Sequence, residues 1–391
     1  MRGLESTPPV RYEEPPRKKR SVAGIIAVAA VLIIALLLVA SPWFWAFMGD
    51  LGETRAYDEG AKLTVKRTID FSVSGQGVVD YELDIPLPKN LVDSDSAYVQ
   101  RSTKTDPAPT PLDEYKYGQH WMVWDGSDAA SKKFVIDYEF EVSTIIWNIA
   151  PSDSADVSAI PQDMMDRYNG VEWKIDPTLP EVASLSNELT RLDDNVRDKL
   201  RSIYDHMKDN LVYETGRDGL PKSCLETLHE GAGDCDDQSI LFCSLARAAG
   251  IPAWMEFGAL YDSGQDIWGG HAWAKAYVPL ANGGGGAVCI DVVNREFFVR
   301  ACNRFSDWES DGNGTHMEDY YNTLSYTSVH SVQLEYSETY EGSYEATGGK
   351  VSARMESSIR PGMAQEFIAA KPSVRASAGV QSDLKSPARA S

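Results

Sequence analysis

A cysteine lies at a predicted junction between a loop and a helix. Cys235 follows two glycines, Gly231 and Gly233, and a helical apolar pattern runs from Asp236 to Ala249. Unpaired N–H groups and the positive end of the helix dipole lie at such a junction, and both favour a thiolate over a thiol. The same N–H groups can stabilise an oxyanion. A lone cysteine is usually a small buried hydrophobic residue, so the prediction of a nucleophile also depends on a matching histidine and aspartate.

Three carboxylates oppose the activation of this thiol. Asp234, Asp236 and Asp237 raise the pKa of a thiol beside them, whereas a helix end contributes only about 0.3–1 kcal/mol at an exposed site. Activation of Cys235 therefore needs a specific cationic partner. We predict that this partner is His271, which opens a strand after a pair of glycines, because an adjacent imidazole can take the proton of the thiol.

An orienting acceptor for the imidazole is expected on the following strand. Asp291 lies in an apolar segment after the glycine run 283–286, which allows two strands to run side by side. A carboxylate there fixes the tautomer of His271 and stabilises its charged form. Zinc binding by the cysteine, histidine and aspartate is the alternative, but the set lacks the short-spaced ligand pairs of structural zinc sites. No metal or other cofactor is therefore expected.

Further residues are secondary candidates. Trp273 and Trp268 flank His271, and His229 precedes Cys235 by six positions. These three are candidates for substrate binding, with core packing or a surface position as the alternative. A less favoured prediction is a calcium site in an acidic loop that does not fit the EF-hand spacing and otherwise serves as a solvated surface. Its candidate oxygen ligands are Asp307, Glu309, Asp311, Asn313 and Thr315.

The composition excludes several classes of protein. Of the 391 residues, 43% are hydrophobic, which is enough for buried cores and excludes wholesale disorder. The chain has 37 Lys and Arg against 58 Asp and Glu, a net charge of −21, so a nucleic-acid partner is not expected. Five cysteines are too few for a disulfide scaffold in a chain of this size. The cysteines other than Cys235 are candidates for core positions or disulfides: Cys224, Cys243, Cys289 and Cys302.

The N-terminal region predicts one membrane anchor. Residues 22–49 contain no charged side chain, and about 20 apolar residues in a helix cross a hydrocarbon core of about 30 Å. Four basic residues, 17–20, precede this run and acidic residues follow it, so the N-terminus is expected in the cytoplasm and residues 50–391 outside. The alternative is a cleaved signal peptide, but the apolar run is longer than such peptides require.

The hydrophobic period divides the chain into five segments. Residues 1–20 predict a disordered tail, and 21–49 the transmembrane helix. Period-two alternation in 50–155 predicts an antiparallel β-sandwich, in which residues 61–73 and 79–87 form a hairpin. Residues 156–326 predict an α+β domain, with a helical stripe over 185–211 that is interrupted near 193–195, followed by a second helix and three strands. Residues 327–391 predict a weak β segment and a disordered tail.

Several motifs together resemble the transglutaminase-like superfamily, over about residues 170–300. The cysteine, histidine and aspartate occur in the order of that family, although Asp291 is followed by Val-Val-Asn where many members have Asp-Pro. The amino-acid sequence of these motifs is similar to that of membrane-anchored prokaryotic members of the family, including archaeal ones. The segments that carry the resemblance are 204–213, 233–239 (Gly-Asp-Cys-Asp-Asp-Gln-Ser), 245–253 (Leu-Ala-Arg-Ala-Ala-Gly-Ile-Pro-Ala) and 271–273 (His-Ala-Trp).

The resemblance implies a papain-like α+β fold and a thioester mechanism. Cys235 attacks an amide carbonyl, His271 protonates the leaving amine, and Asp291 orients the imidazole. Water as acceptor makes the enzyme a peptidase or amidase, and lysine makes it a cross-linking transferase; many microbial members are regarded as proteases. The expected partner is a protein or peptide substrate. The alternative function is a non-catalytic surface module that binds proteins or cell-envelope polymer, or a maturation scaffold for neighbouring surface proteins.

Overall fold

The computed structural model describes residues 54–75, 77–92, 98–128, 130–214, 220–328 and 332–354, all within one compact unit. The predicted cytoplasmic tail, the predicted transmembrane helix 21–49 and the predicted C-terminal tail lie outside these residues. Within the described part of the chain, no helix has both the length and the apolar character needed to cross a membrane.

Two antiparallel sheets share a hydrophobic core that includes Leu63, Ile69, Leu83 and Trp124. The first sheet has the order β18-β1-β7-β4-β3 and the second the order β17-β2-β6-β5. The strands of the first sheet are β1 (Thr54–Gly75), β3 (Leu91–Val92), β4 (Tyr98–Ala108), β7 (Lys132–Ser143) and β18 (Val332–Arg354). Those of the second are β2 (Val79–Pro86), β5 (Leu112–Lys116), β6 (Gln119–Asp128) and β17 (Leu324–Ser328). We call the two sheets together the two-sheet region.

One expectation about this region was wrong in its strand partners, and one predicted strand pairs with a distant partner that the sequence did not indicate. The predicted hairpin does not form, because β1 pairs with β7 and β18 whereas β2 pairs with β6 and β17 in the other sheet. The segment predicted as a separate weak β element pairs along β1, from Gly75 with Val332 to Thr54 with Arg354. Alternation reports which side chains are buried, but both facing sheets satisfy the same pattern, so it does not identify the partner strand.

The helices lie between the strands of the two-sheet region in the sequence. The predicted interruption of the helical stripe is present, since α2 ends at Thr190 and α3 begins after Asn195, whose side chain caps the backbone N–H of Asp198 at 2.9 Å. The predicted second helix ends before Gly250, which has a φ of 80°. The helices are α1 (Gln162–Tyr168), α2 (Pro180–Thr190), α3 (Val196–Asn210), α4 (Cys224–Glu230), α5 (Cys235–Ala248) and α6 (Gly314–Tyr321).

A third antiparallel sheet supports the longest buried helix, α5. It has the order β14-β13-β12-β11-β16, and the small side chains of Ala272, Ala274 and Ala276 join the core beneath α5. Its strands are β11 (Ala253–Asp262), β12 (Ile267–Pro279), β13 (Gly285–Asp291), β14 (Glu296–Phe297) and β16 (Arg304–Glu309). Two short pairs complete the described strands: β8 (Ile145–Ile146) with β15 (Val299–Arg300), and β9 (Val212–Tyr213) with β10 (Ala232–Gly233). The architecture is α+β with antiparallel sheets, as predicted.

Candidate active site

Cys235 is the first residue of α5. Each of the two glycines before it is needed for a different structural reason. Gly231 ends α4 with a φ of 63°, a left-handed conformation that glycine adopts without steric cost. At Gly233, a β-carbon would lie 2.5 Å from the β-carbon of Asp237. The chain therefore turns sharply from α4 into α5, and this turn brings Cys235 to the helix start with only 4% of its surface exposed.

A reciprocal capping arrangement uses two of the three carboxylates around the cysteine. The Asp234 carboxylate accepts the backbone N–H groups of Asp236 and Asp237, both at 3.1 Å, and the Asp237 carboxylate accepts the N–H of Asp234 at 3.2 Å. The Tyr321 hydroxyl donates to Asp236 at 2.9 Å. The N–H of Cys235 is not among the groups that Asp234 accepts, so the cap leaves it to other uses.

The environment of the thiol favours its neutral form. Burial, followed by the charges of Asp236 and Asp234, raises the pKa of Cys235 well above its ordinary value, while a hydrogen bond with the backbone of Ala272 lowers it. Burial and the neighbouring charges of Asp236 and Asp237 raise the pKa of Asp234 to about 8. The expected opposition of the carboxylates is therefore present, and the surroundings of Cys235 favour the thiol over the thiolate.

The imidazole of His271 is held by a carboxylate, as the sequence predicted. Its Nε2 lies 2.7 Å from Oδ2 of Asp291 and 3.1 Å from Nδ2 of Asn294. An ionised carboxylate only accepts hydrogen bonds, so Nε2 carries the proton. Nδ1 is buried and makes no hydrogen bond with the residues that the structure describes. This tautomer leaves the lone pair of Nδ1 as the basic position.

Asp291 is strongly held in its ionised form. Burial alone raises its pKa, but the charges of His271 and Arg304 and their hydrogen bonds bring the pKa well below its usual range. Oδ2 accepts Nη1 of Arg304 at 2.8 Å and Nδ2 of Asn294 at 2.9 Å, and Oδ1 accepts the backbone N–H of Asn294 at 3.0 Å. Both carboxylate oxygens are thus fixed by donors.

The helix and the strand bring the cysteine beside the histidine segment. The thiol of Cys235 hydrogen-bonds with the backbone of Ala272, the residue that follows His271. One turn along α5, the Ser239 hydroxyl donates to the carbonyl of Ala272 at 3.4 Å. The charge of Asp291 also acts on the thiol. The cysteine therefore lies beside the strand segment that carries His271, within range of the charge of Asp291.

The structure gives the two candidate tryptophans positions in the interior. The ring of Trp273 stacks on His271 with a centroid distance of 5.8 Å, and its Nε1 donates to Glu256 at 2.9 Å. Because Trp273 is 0% exposed, it supports the imidazole and is closed to a substrate. Trp268 packs on Phe305 in the core of the two-sheet region, with ring centroids 6.4 Å apart. Both indole rings are buried, and this favours the alternative of core packing over the predicted substrate binding.

The remaining secondary candidates are engaged elsewhere. His229 is on the surface of α4, where its Nε2 lies 2.5 Å from the Glu181 carboxylate. The structure does not collect the proposed calcium ligands, because Asp307 bonds to the buried Arg67 at 3.2 Å while Asp311 accepts the backbone N–H of Asn313 at 3.1 Å. The Asn313 side chain caps Thr315 at 3.0 Å, and Glu309 accepts Nε1 of Trp254 at 2.6 Å.

The structure differs from the sequence-based alternatives of a zinc site and of disulfide bonds. Among the described residues, the potential metal ligands that lie together are Asp234, Cys235 and Asp236, whose ligand atoms are within 4.8 Å of one another. This set differs from the zinc set considered from the sequence and overlaps the candidate nucleophile. All five cysteines are buried and free, so the possible disulfides of Cys224, Cys243, Cys289 and Cys302 do not form.

Sequence reasoning missed two residues that contact the carboxylate, Asn294 and Arg304. Asn294 was visible as the residue three positions after Asp291, where the chain departs from the Asp-Pro of many relatives. Its backbone and side chain both bond to Asp291. Arg304 belongs to β16, two strands away from β12 in the sheet order, and no local pattern pointed to it.

Comparisons with known proteins agree with this geometry. Residues 183–285, which include Cys235 and His271, match the family model of the transglutaminase-like superfamily. The crystal structure of a "Putative Cysteine Protease" from Cytophaga hutchinsonii is similar with a TM-score of 0.55 and 14% identity, over 76% of this chain and 94% of that one, which shows a shared fold. A search of curated proteins finds no significant match.

The periplasmic domain of TgpA from Pseudomonas aeruginosa is a weaker structural match. It has a TM-score of 0.31 and 14% identity, over 61% of this chain and 92% of that one, and no argument rests on it. The family match covers Cys235 and His271, and Asp291 lies six residues beyond its end. The part of the chain around Cys235 and His271 belongs to the transglutaminase-like superfamily.

Proposed function

We propose that this protein is a thiol enzyme that cleaves peptide or glutamine amide bonds through Cys235, His271 and Asp291. The observation that carries the proposal is the bond of 2.7 Å between Nε2 of His271 and Asp291, combined with a buried Nδ1 that has no partner among the described residues. A histidine held in this way is a base at Nδ1, and the thiol beside Ala272 is the acid it can serve.

The chemistry begins with a neutral pair. Nδ1 of His271 accepts the thiol proton while Sγ of Cys235 attacks the amide carbon. The proton then passes to the nitrogen of the leaving amine, the C–N bond breaks and a thioester remains on Cys235. Water or a primary amine next attacks the thioester and gives its proton to Nδ1, and the sulfur leaves with that proton. Asp291 stabilises the imidazolium that forms in both halves of the cycle.

The start of α5 supplies a donor for the developing oxyanion. Asp234 occupies the N–H groups of Asp236 and Asp237, while the N–H of Cys235 itself is outside this cap. A backbone N–H at the nucleophile stabilises the tetrahedral intermediate, and loss of one such donor typically costs about 10²–10³-fold in kcat. This arrangement supports acyl transfer rather than simple thiol redox chemistry.

Water is the acyl acceptor that we place first, and a lysine amine is the second. The fold is shared with a protein from Cytophaga hutchinsonii that is described as a "Putative Cysteine Protease", and this likeness supports hydrolysis. Incubation of the full-length protein with casein and a labelled amine separates the outcomes. Peptide fragments without label indicate hydrolysis, whereas incorporation of the amine indicates transfer.

Two cysteine variants make this experiment specific. Cys235→Ala abolishes both fragments and label, whereas Cys243→Ala, which removes another fully buried thiol of α5, retains them. If Cys235→Ala keeps the activity of the unaltered protein, the proposed function is wrong. Equal loss in both variants points to damage of α5 and also removes support for a role of Cys235.

We further propose that the enzyme acts outside the cytoplasm on a single-pass anchor at residues 21–49. The absence of charge over 22–49 and the basic residues 17–20 before it support this orientation. Externally added protease should digest residues 54–354 in intact cells, and alkaline carbonate should leave the protein in the membrane. Release by carbonate, or protection of the C-terminal part in intact cells, contradicts the anchor.

A further inference from the structure

A fully buried arginine contacts the carboxylate of the candidate triad. Arg304 on β16 is 0% exposed, and its Nη1 donates to Oδ2 of Asp291 at 2.8 Å. Its Nη2 donates to Glu296 on β14 at 2.6 Å. A buried charge is costly unless it is paired and hydrogen-bonded, so the position of Arg304 requires both carboxylates.

We propose that Arg304 is a positioning residue, which locks the carboxylate of Asp291 so that His271 keeps its proton on Nε2 and presents a free Nδ1 to Cys235. This inference rests on the proposed function, because it assigns a role in the same site. Arg304 does not touch the reacting atoms; it acts through Asp291.

The hydrogen bonds at Asp291 support a lock rather than a simple ion pair. One oxygen, Oδ2, receives His271, Arg304 and the Asn294 side chain at 2.7, 2.8 and 2.9 Å. The other oxygen receives the backbone N–H of Asn294 at 3.0 Å. With donors on both oxygens the carboxylate has one orientation, and an acceptor so saturated has little tendency to take the proton from Nε2.

A second contact leads from the arginine to the imidazole through an aromatic ring. The guanidinium of Arg304 lies 5.2 Å from the ring centroid of Trp273, within the range of a cation–π interaction. The same ring stacks on His271, at 5.8 Å between centroids. Arg304 therefore fixes the imidazole both by its hydrogen-bond acceptor and by the surface on which it stacks.

Several ionisable groups act on Asp291 from the surrounding elements. Burial raises the pKa of its carboxyl, whereas His271 and Arg304 hold the pKa well below the usual range. Without Arg304 the effect of burial has less opposition, and the ionisation of Asp291 moves to higher pH. The neighbouring groups are Arg55 and Tyr57 on β1, Tyr204 on α3, Tyr213 on β9, Cys235 on α5, His271 on β12, Glu296 on β14 and Arg304 on β16.

The chain contains a matched control in Arg67. This arginine is also 0% exposed, pairs with two carboxylates at 3.2 and 2.8 Å, and lies 5.5 Å from the ring centroid of Tyr340. Its carboxylate partners are Asp307 and Glu338, which are not triad residues. Loss of Arg67 therefore reproduces the cost of removing a buried, paired guanidinium without touching Asp291.

The experiment compares R304M, R304K and R67M in the full-length protein. We expect both methionine variants to lower Tm, but only R304M to lower kcat, by about 10–100-fold for the loss of a charged hydrogen bond near the base. We also expect the acidic limb of kcat/KM to move to higher pH by about one unit in R304M alone. R304K retains the positive charge, so its acidic limb of kcat/KM should lie at the pH of the unaltered protein, and part of kcat should be retained.

Histidine NMR gives a readout that does not depend on turnover. With ¹⁵N-labelled histidine, and H271A to assign the signal among six histidines, the unaltered protein and R67M should show the Nε2–H tautomer of His271. R304M should show a mixture of tautomers or a protonated ring. If R304M does not fold, R304Q, which removes the charge but retains an amide donor, replaces it in both measurements.

The possible results distinguish this inference from the proposed function. An active protein in which R304M matches R67M in kcat, pH profile and tautomer contradicts the role of Arg304 and leaves the proposed function standing. A protein that neither cleaves casein nor incorporates the labelled amine contradicts the proposed function. In that case, a change of the His271 tautomer in R304M but not in R67M still supports the positioning role of Arg304. An unchanged tautomer in R304M contradicts that role.

Discussion

The two halves of the candidate site differ in how their charges are compensated. On the strand side, Asp291 accepts hydrogen bonds from His271, Arg304 and Asn294, and its pKa is held well below the usual range. On the helix side, burial and nearby carboxylates raise the pKa of Cys235 and bring the pKa of Asp234 to about 8. One half favours the charged form of its acid, and the other half favours the neutral form.

In the proposed mechanism, this difference corresponds to a histidine that can act as a base at once and a cysteine that is unreactive until its proton is removed. A thiol with a raised pKa is a poor nucleophile toward adventitious electrophiles, because the thiolate is the reactive species. The imidazole, with its proton fixed on Nε2, can remove the thiol proton when an amide carbonyl is in place. The reactivity of Cys235 therefore depends on His271 and on the substrate rather than on the helix end alone.

The largest expected effect is the loss of the base. His271→Ala should lower kcat/KM by about 10²–10⁴-fold, the usual contribution of a positioned general base. The matched control is His229→Ala, which removes an exposed histidine paired with Glu181 and should change kcat/KM less than about twofold because surface substitutions have small effects. Steady-state assays on the same substrate measure both, and comparable losses in the two variants contradict the contrast between the site and the surface of α4.

A smaller loss is expected when the carboxylate loses one neutral donor. Asn294→Ala removes the side-chain bond to Oδ2 at 2.9 Å and retains the backbone bond to Oδ1. We expect about tenfold lower kcat with little change in KM, the effect of one hydrogen bond to a charged group. Asn303→Ala serves as the control, because its amide donates to the carbonyl of Tyr261 at 3.0 Å. An unchanged kcat in Asn294→Ala shows that Asp291 is sufficiently held by other groups.

The helix half can be tested through the pH dependence of stability. Because the pKa of Asp234 is about 8 in the folded protein and about 4 in an unfolded chain, the folded state retains a proton between these values that the unfolded state has lost. The free energy of unfolding therefore falls as pH rises from about 4 to about 8. Asp234→Asn, an equally good helix cap, should flatten this fall in urea titrations at several pH values. A fall as steep as in the unaltered protein means that Asp234 does not retain the proton.

The same substitution gives the smallest expected effect on reactivity. Removing the possibility of a charge at Asp234 lowers the pKa of Cys235, so iodoacetamide should alkylate this thiol about two- to fivefold faster at pH 8.5. Cys224 and Cys243, which are buried on the same helical layer, provide internal references in the same digest. Equal acceleration of all three thiols indicates loosening of the fold instead of an electrostatic effect.

Much of the secondary structure was predictable from periodicity, but the pairing of distant strands was not. The break between α2 and α3 followed from the sequence around Asp193, and the end of α5 from Gly250. In contrast, the partner of β1 lies more than 250 residues later in β18. Alternating apolar residues identify a buried face, and long-range packing alone decides which strands share a sheet.

The candidate site was predictable to the extent that its chemistry is concentrated in short motifs. Cys235, His271 and Asp291 each stood in a recognisable local setting, whereas Arg304 came from a strand with no such setting. Trp268 was misassigned because nearness to His271 in sequence does not determine which core a ring joins. The strand face on which a residue lies says more about whether it belongs to a site than its separation in sequence from the other site residues.

The most direct measurement of the central claim is the acylation of Cys235 by a glutamine peptide ester, followed by rapid quenching and mass spectrometry. We predict one acyl group on Cys235, formed at least about 100-fold faster in the unaltered protein than in His271→Ala. Equal rates in the two proteins, or an acyl group on another residue, would contradict a joint action of the thiol and the imidazole.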